Sequence, residues 1–219
     1  MAKKRTLSAL HIGIYLVALF AVWSVKELII RPVFLDNLDD TICQIVEPTM
    51  KMLLWALPAL LLIRYYQDDM QISLRDMLTT RPRLALSALM TMLLVLTALV
   101  NVRAALGELR IRPESISVEL IDVVVVAGFA EEIVFRGFLL NATLKRMKLW
   151  PAMILNGALF ALIHYPIWIN SGFGIAAILS STPGIMILGV FFSYAFANSG
   201  SILVPILLHM IWNSIISVF

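Results

Sequence analysis

Apolar residues in this chain run in long unbroken blocks, without the alternation or one-sided periodicity of a water-facing fold. The blocks fall at about residues 7–30, 44–63, 84–102, 118–140, 150–169, 183–197 and 202–219, each bounded by charge, proline or glycine. Most approach the roughly 20 residues that carry an α-helix across a hydrocarbon core, and helices satisfy every backbone group without water. The pattern predicts an all-α fold, a polytopic transmembrane bundle of about seven spans (six to eight), with any active site inside the bundle. The stretch 170–182, NSGFGIAAILSST, reads equally as a separate span, a re-entrant segment or an outer loop. Beyond it Gly189, Ser193 and Ala197 recur in steps of four, a small-residue stripe that lets a neighbouring helix approach closely.

Composition agrees with the pattern. Of 219 residues, 61% are apolar and 14% charged, with mean hydropathy +0.93; a soluble domain averages roughly half and a quarter. The net charge of +3 would suggest nucleic acid in a soluble chain, but here the basic residues lie between apolar blocks, where the positive-inside rule explains them, and no nucleic-acid partner is expected. Lys3, Lys4 and Arg5 precede the first block in the manner of a signal peptide. That block is too long for a signal h-region and lacks an A-x-A site, so it reads as a retained span. With the amino terminus inside, Lys3, Lys4, Arg5, Arg64, Arg75, Arg81, Arg83, Lys145, Arg146 and Lys148 are cytoplasmic and the acidic 36–40 loop is outside. Arg103, Arg110 and Arg112 run against this orientation. Cys43, the single cysteine, excludes an internal disulfide and has no activating neighbour. Nothing marks a second domain, so 1–219 reads as one unit, with spans lacking a motif over 1–117 and the motif-bearing part over 118–219.

The informative residues are those that lipid excludes. Glu131, Glu132 and Arg136 interrupt the block VVVVAGFAEEIVFRGFLL, and three central charges cost on the order of 8–10 kcal/mol on the insertion scale. Glu132 and Arg136 are spaced i, i+4, so one helix face can pair them, while Glu131 is turned about 100° away toward another helix. His164 follows Phe160 by four residues and precedes Pro166 by two; His209 and Asn213 share a face at i, i+4. Two imidazoles, an amide and a carboxylate can activate a water and donate to an oxyanion. Each group also has a purely structural reading, a buried ion pair or an interhelical hydrogen bond. Counting 1.5 Å per residue places His164 about 20 Å from the inner end of its span, with Glu131 and His209 roughly 10–14 Å from theirs, so their meeting requires tilt or a late helix start near Pro151. His11 and Asp122 have no partner pattern. Asn141-Ala142-Thr143 spells a glycosylation sequon that the orientation makes cytoplasmic.

E-E-x-x-x-R at Glu131, Glu132 and Arg136, F-x-x-x-H at Phe160 and His164, and H-x-x-x-N at His209 and Asn213, in this order on successive spans, resemble the CAAX prenyl endopeptidase and bacteriocin-processing family of intramembrane proteases. Gly137-Phe138-Leu139 and the run SGSILVPILLH also look like that family, and the resemblance covers about residues 120–219. It implies that Glu131, with His164, activates a water against a peptide carbonyl, that Glu132 and Arg136 support them, that His209 and Asn213 stabilise the oxyanion, and that Phe160 lines the site. The family is commonly described as metalloprotease; Glu131, His164 and His209 are then candidate ligands of a divalent metal such as zinc, while a metal-free Glu/His dyad needs the same residues. No H-E-x-x-H, G-x-S-G or G-x-G-D motif is present, which disfavours the other intramembrane protease classes. The resemblance implies a peptide or lipidated-protein substrate cut near the cytoplasmic membrane surface, with a bacterial member the better match. A transporter or proton relay uses the same residue types but predicts inverted repeats, which the sequence lacks; a non-catalytic immunity or scaffold protein is the third reading.

Overall fold

The computed structural model describes residues 6–113 and 119–219, and among them every regular element is helical. The rods are α1 Ala9–Asn37, α2 Asp40–Tyr65, a short α3 Leu74–Thr79, α4 Leu84–Leu106, α5 over 119–144, α6 Leu149–Asn170, α7 Ile175–Ser199 and α8 Leu203–Val218. Five of them, α1, α2, α4, α6 and α7, are long and apolar enough to cross a membrane; α8 is a shorter apolar helix. With α5, the seven long rods follow the seven apolar blocks. The 170–182 ambiguity resolves simply: a turn at Ser171–Gly172 carries the chain into α7, whose first two turns are 175–182. Leucine, isoleucine and valine are exposed on the outer faces, Leu84 and Ile175 most of all, as expected of rods that face lipid.

The rods alternate in direction, and cross-links define two ends. At one end Arg146 donates to Leu7 O, Leu7 N donates to Asp69, and both amide groups of Asn141 clamp the backbone of Ile72. Asn141 is fully buried in that clamp, so the sequon there offers no free amide for a glycan. This end holds Arg64, Arg75, Arg81, Arg83, Lys145, Arg146 and Lys148. At the other end Arg31 meets Glu47, and Arg112 N donates to Val218 O.

Two packing devices set the interior. An aromatic chain runs across the bundle: Trp23 on Trp55 (4.8 Å between centroids), Trp55 on Phe135 (6.0 Å) and Phe135 on Phe160 (5.1 Å), mostly edge to face, the arrangement that ring quadrupoles favour. Glycine supplies the other: Gly157 of α6 lies so close to α7 that a Cβ would fall 2.7 Å from Met186 O, and one on Gly189 would fall 2.9 Å from Gly157 Cα. The stripe read from Gly189 and Ser193 is therefore a true helix contact, and Ser193 Oγ donates across it to Asn156.

The helical hydrogen bonding also widens to five-residue reach at several points. Arg31 N bonds Lys26 O and Leu57 N bonds Met52 O, each immediately before a proline, Pro32 or Pro58, whose missing N–H and ring bulk interrupt the ordinary ladder. Further wide turns occur at Asp122–Val126 and Ile133–Leu140. All four lie beside charged residues that face the interior.

Gly157→Ala should destabilise the protein by about 1–3 kcal/mol, because a backbone oxygen cannot step aside; Gly184→Ala, with nothing near its Cβ position, should be neutral or stabilising by up to about 1 kcal/mol. Thermal unfolding in detergent compares the two, and equal effects would contradict the proposed contact.

Candidate active site

Successive positions on α5 point different ways, and Glu131 and Glu132 divide accordingly. Glu132 turns into the protein and is completely buried, as is Arg136 one turn on. Arg136 Nη1 donates to Glu132 Oε1 at 2.8 Å, and Nη2 donates to Gly189 O of α7 at 2.8 Å. The guanidinium lies over the rings of Phe160 at 4.5 Å and Phe192 at 5.3 Å. Removed from water, this cation is held by a carboxylate, a carbonyl and two π faces. The i, i+4 pair expected from the spacing thus forms.

Glu132 Oε1 takes a second bond, from His209 Nδ1 of α8 at 2.8 Å. That contact fixes the ring: Nδ1 carries a proton, and Nε2 points toward Glu131, 3.9 Å from its Oε2. His164 is fixed in a related way by a local break in α6. Its backbone N–H bonds Ala161 O, one residue short of the α-helical partner, and the released Phe160 carbonyl accepts from His164 Nδ1 at 2.7 Å. Pro166 sits in the first turn after this break. His164 Nε2 is the nitrogen left for the interior.

Glu131, His164, His209 and Asn213 all line one cavity of about 400 Å³, so the difference in depth counted along the helices does not keep them apart. Glu131 is nearly buried, with Oε1 accepting from Lys51 Nζ of α2 at 2.7 Å. Asn213 donates to Val123 O at 2.8 Å at the cavity edge. Glu132, Arg136 and Phe160 are absent from the lining. Phe160 lies behind the wall, edge-on to His164 and His209 at 5.0 and 5.8 Å, so the expectation that it lines the site is corrected: a ring of that size fills the space between both imidazoles and Arg136.

Sequence reasoning missed the polar residues of α1 and α2 that line the same cavity. Lys26 Nζ lies 2.8 Å from Glu27 and 3.5 Å from Glu47, and Arg31 contacts both acids. Asp122, left without a partner pattern, faces this cavity and an adjoining one of about 430 Å³ that also contains Cys43. A signal was present: Glu27/Arg31 and Glu47/Lys51 repeat the E-x-x-x-R/K spacing of Glu132/Arg136 inside apolar blocks. His11 has a local role, capping α1 with Ser8.

Residues 113–215 match the family model described as Type II CAAX prenyl endopeptidase Rce1-like. Over those residues the chain is similar to an Rce1-like domain. No curated protein and no solved structure matches the chain. The matched stretch, just under half of the chain, spans α5 to most of α8 and contains Glu131, Glu132, Arg136, Phe160, His164, His209 and Asn213. Lys51 and the α1 network lie outside the matched residues. Among the described residues no three His, Cys, Asp or Glu side chains gather as metal ligands, and the Lys51 ammonium holds one oxygen of Glu131, Oε1.

Arg136→Met leaves Glu132 buried with one donor fewer and should cost about 3–5 kcal/mol, whereas adding Glu132→Gln to it should cost less than the sum of the single changes. Denaturant unfolding in detergent measures both; additive effects would separate the pair.

Proposed function

We propose that the protein is an intramembrane endopeptidase that hydrolyses membrane-associated or lipidated peptides, in CAAX-type processing or in peptide maturation and bacteriocin self-immunity, through a water activated by Glu131 and His164. What carries the reading is one observation: Glu131, His164 and His209, from three rods, share a single cavity inside the bundle. A water between Glu131 Oε2 and His164 Nε2 gives a proton to Glu131 as its oxygen attacks the scissile carbonyl carbon. The carbonyl π pair moves to oxygen, and the resulting oxyanion accepts from Asn213 Nδ2, which keeps one hydrogen beyond that given to Val123 O, and from His209 Nε2 in its doubly protonated form. Collapse restores the carbonyl, breaks the C–N bond and returns the proton from Glu131 to the leaving amine. Glu132, Arg136 and Phe160 touch no reacting atom in this scheme and act by orienting His209 and His164.

With a farnesylated CAAX peptide in detergent or liposomes, Glu131→Gln and His164→Ala should lower kcat by about 10²–10⁴, and Asn213→Ala by about 10²–10³. Full activity of Glu131→Gln would overturn the mechanism. The dyad also predicts a rate indifferent to chelators; loss to a chelator with recovery on adding zinc would install a metal instead. Glu131-dependent proton flux without cleavage would favour the relay, and immunity that survives Glu131→Gln would favour the scaffold.

We further propose residence in a bacterial cytoplasmic membrane with the amino terminus inside. Lys26, Glu47, Asp122, Asn170 and Asn213 put the cavity toward the end opposite Arg64, Arg75 and Lys145. An inside amino terminus and cleavage at the cytoplasmic surface therefore exclude one another; the positive-inside rule supports the former, with a cavity that opens outward. In a Cys43→Ser background, Ser171→Cys in intact cells should react with an impermeant maleimide and Arg81→Cys only after permeabilisation; the reverse pattern inverts the topology.

A further inference from the structure

Lys51 lies on α2, eighty positions before its partner and outside the residues that carry the family match. Its ammonium reaches Glu131 Oε1 at 2.7 Å, and the same nitrogen sits over the rings of Trp55 at 5.3 Å and Trp23 at 5.6 Å. Two aromatic faces and a carboxylate therefore define its position from three directions. The other cations near the cavity are committed elsewhere: Lys26 and Arg31 to Glu27 and Glu47, Arg136 to Glu132. Glu131 draws its compensating charge from Lys51, with His209 Nε2 farther away at 3.9 Å.

The contact does more than compensate charge. A carboxylate has two oxygens, and Lys51 holds only Oε1. Rotation about the last side-chain torsion of Glu131 is thereby fixed, and Oε2 is presented on the side of His209. We infer that Lys51 is a positioning residue of the reaction: it neutralises Glu131 and aims Oε2 at the water, acting through Glu131 and not on the peptide. This inference rests on the assignment of Glu131 as the base. It also gives the amino-terminal half of the chain a part in the chemistry, since α2 must be docked on α5 for the base to be aimed.

The test is a charge restoration. In a Cys43→Ser background, Lys51→Cys should lower kcat on the farnesylated peptide by about 10- to 100-fold, the range seen when a group orienting a reacting side chain is lost, with KM unchanged within about twofold. Aminoethylation of that cysteine rebuilds an ammonium of nearly lysine length and should restore most of kcat, whereas carbamidomethylation, which adds a neutral amide, should not. Lys51→Arg, which keeps the charge, should retain more activity than Lys51→Met at matched thermal stability. Wild-type or raised kcat in Lys51→Met, a loss carried by KM alone, or equal recovery with the neutral adduct would each overturn the inference. Full activity of Glu131→Gln would instead remove the assignment of the base on which it rests.

Discussion

One carboxylate oxygen, Glu132 Oε1, organises this bundle. It accepts from Arg136 on its own helix and from His209 on α8, and the second arm of the same guanidinium reaches the Gly189 carbonyl of α7. Phe160 of α6 covers the guanidinium. Four rods are thus joined at one charge pair far from water, where an unpaired member would be expensive and a paired one is close to neutral. The arrangement depends on small residues as much as on charged ones. Side chains in place of Gly157 and Gly189 would push α6 from α7 and lift Phe160 off Arg136.

The helical class and the rods were legible because a spanning helix needs nothing more than length and apolarity, and apolar blocks display both. The Glu132–Arg136 pair was legible because i, i+4 geometry is local. The partner of Glu131 was not, although its direction away from Glu132 was: Lys51 lies eighty positions earlier on another helix, and no local spacing links two residues that meet only through tertiary packing. Phe160 shows the same limit from the other side. Its spacing to His164 was plain, but lining a cavity and backing its wall differ by a side-chain direction that spacing does not encode.

The amino-terminal rods change in standing for a related reason. Their apolar blocks carry no motif and read only as completing the bundle, yet α1 and α2 contribute Lys26, Glu27, Arg31, Glu47 and Lys51 to the cavity wall. Prolines at 32 and 58 come directly after the wide turns beside these residues. A helix that takes one more residue into a turn rotates its later part relative to its earlier part. Pro32 and Pro58 therefore bear on where charges point as well as on helix shape.

Both imidazoles spend Nδ1 on a fixed acceptor, Phe160 O for His164 and Glu132 for His209. Each ring is left with a single nitrogen open to exchange, and both rings border the same chamber. Proton traffic through either histidine must then enter and leave by that chamber, so a bound peptide that fills it also seals the exit. In the proposed mechanism, a proton taken from the water then has the departing amine as its nearest destination.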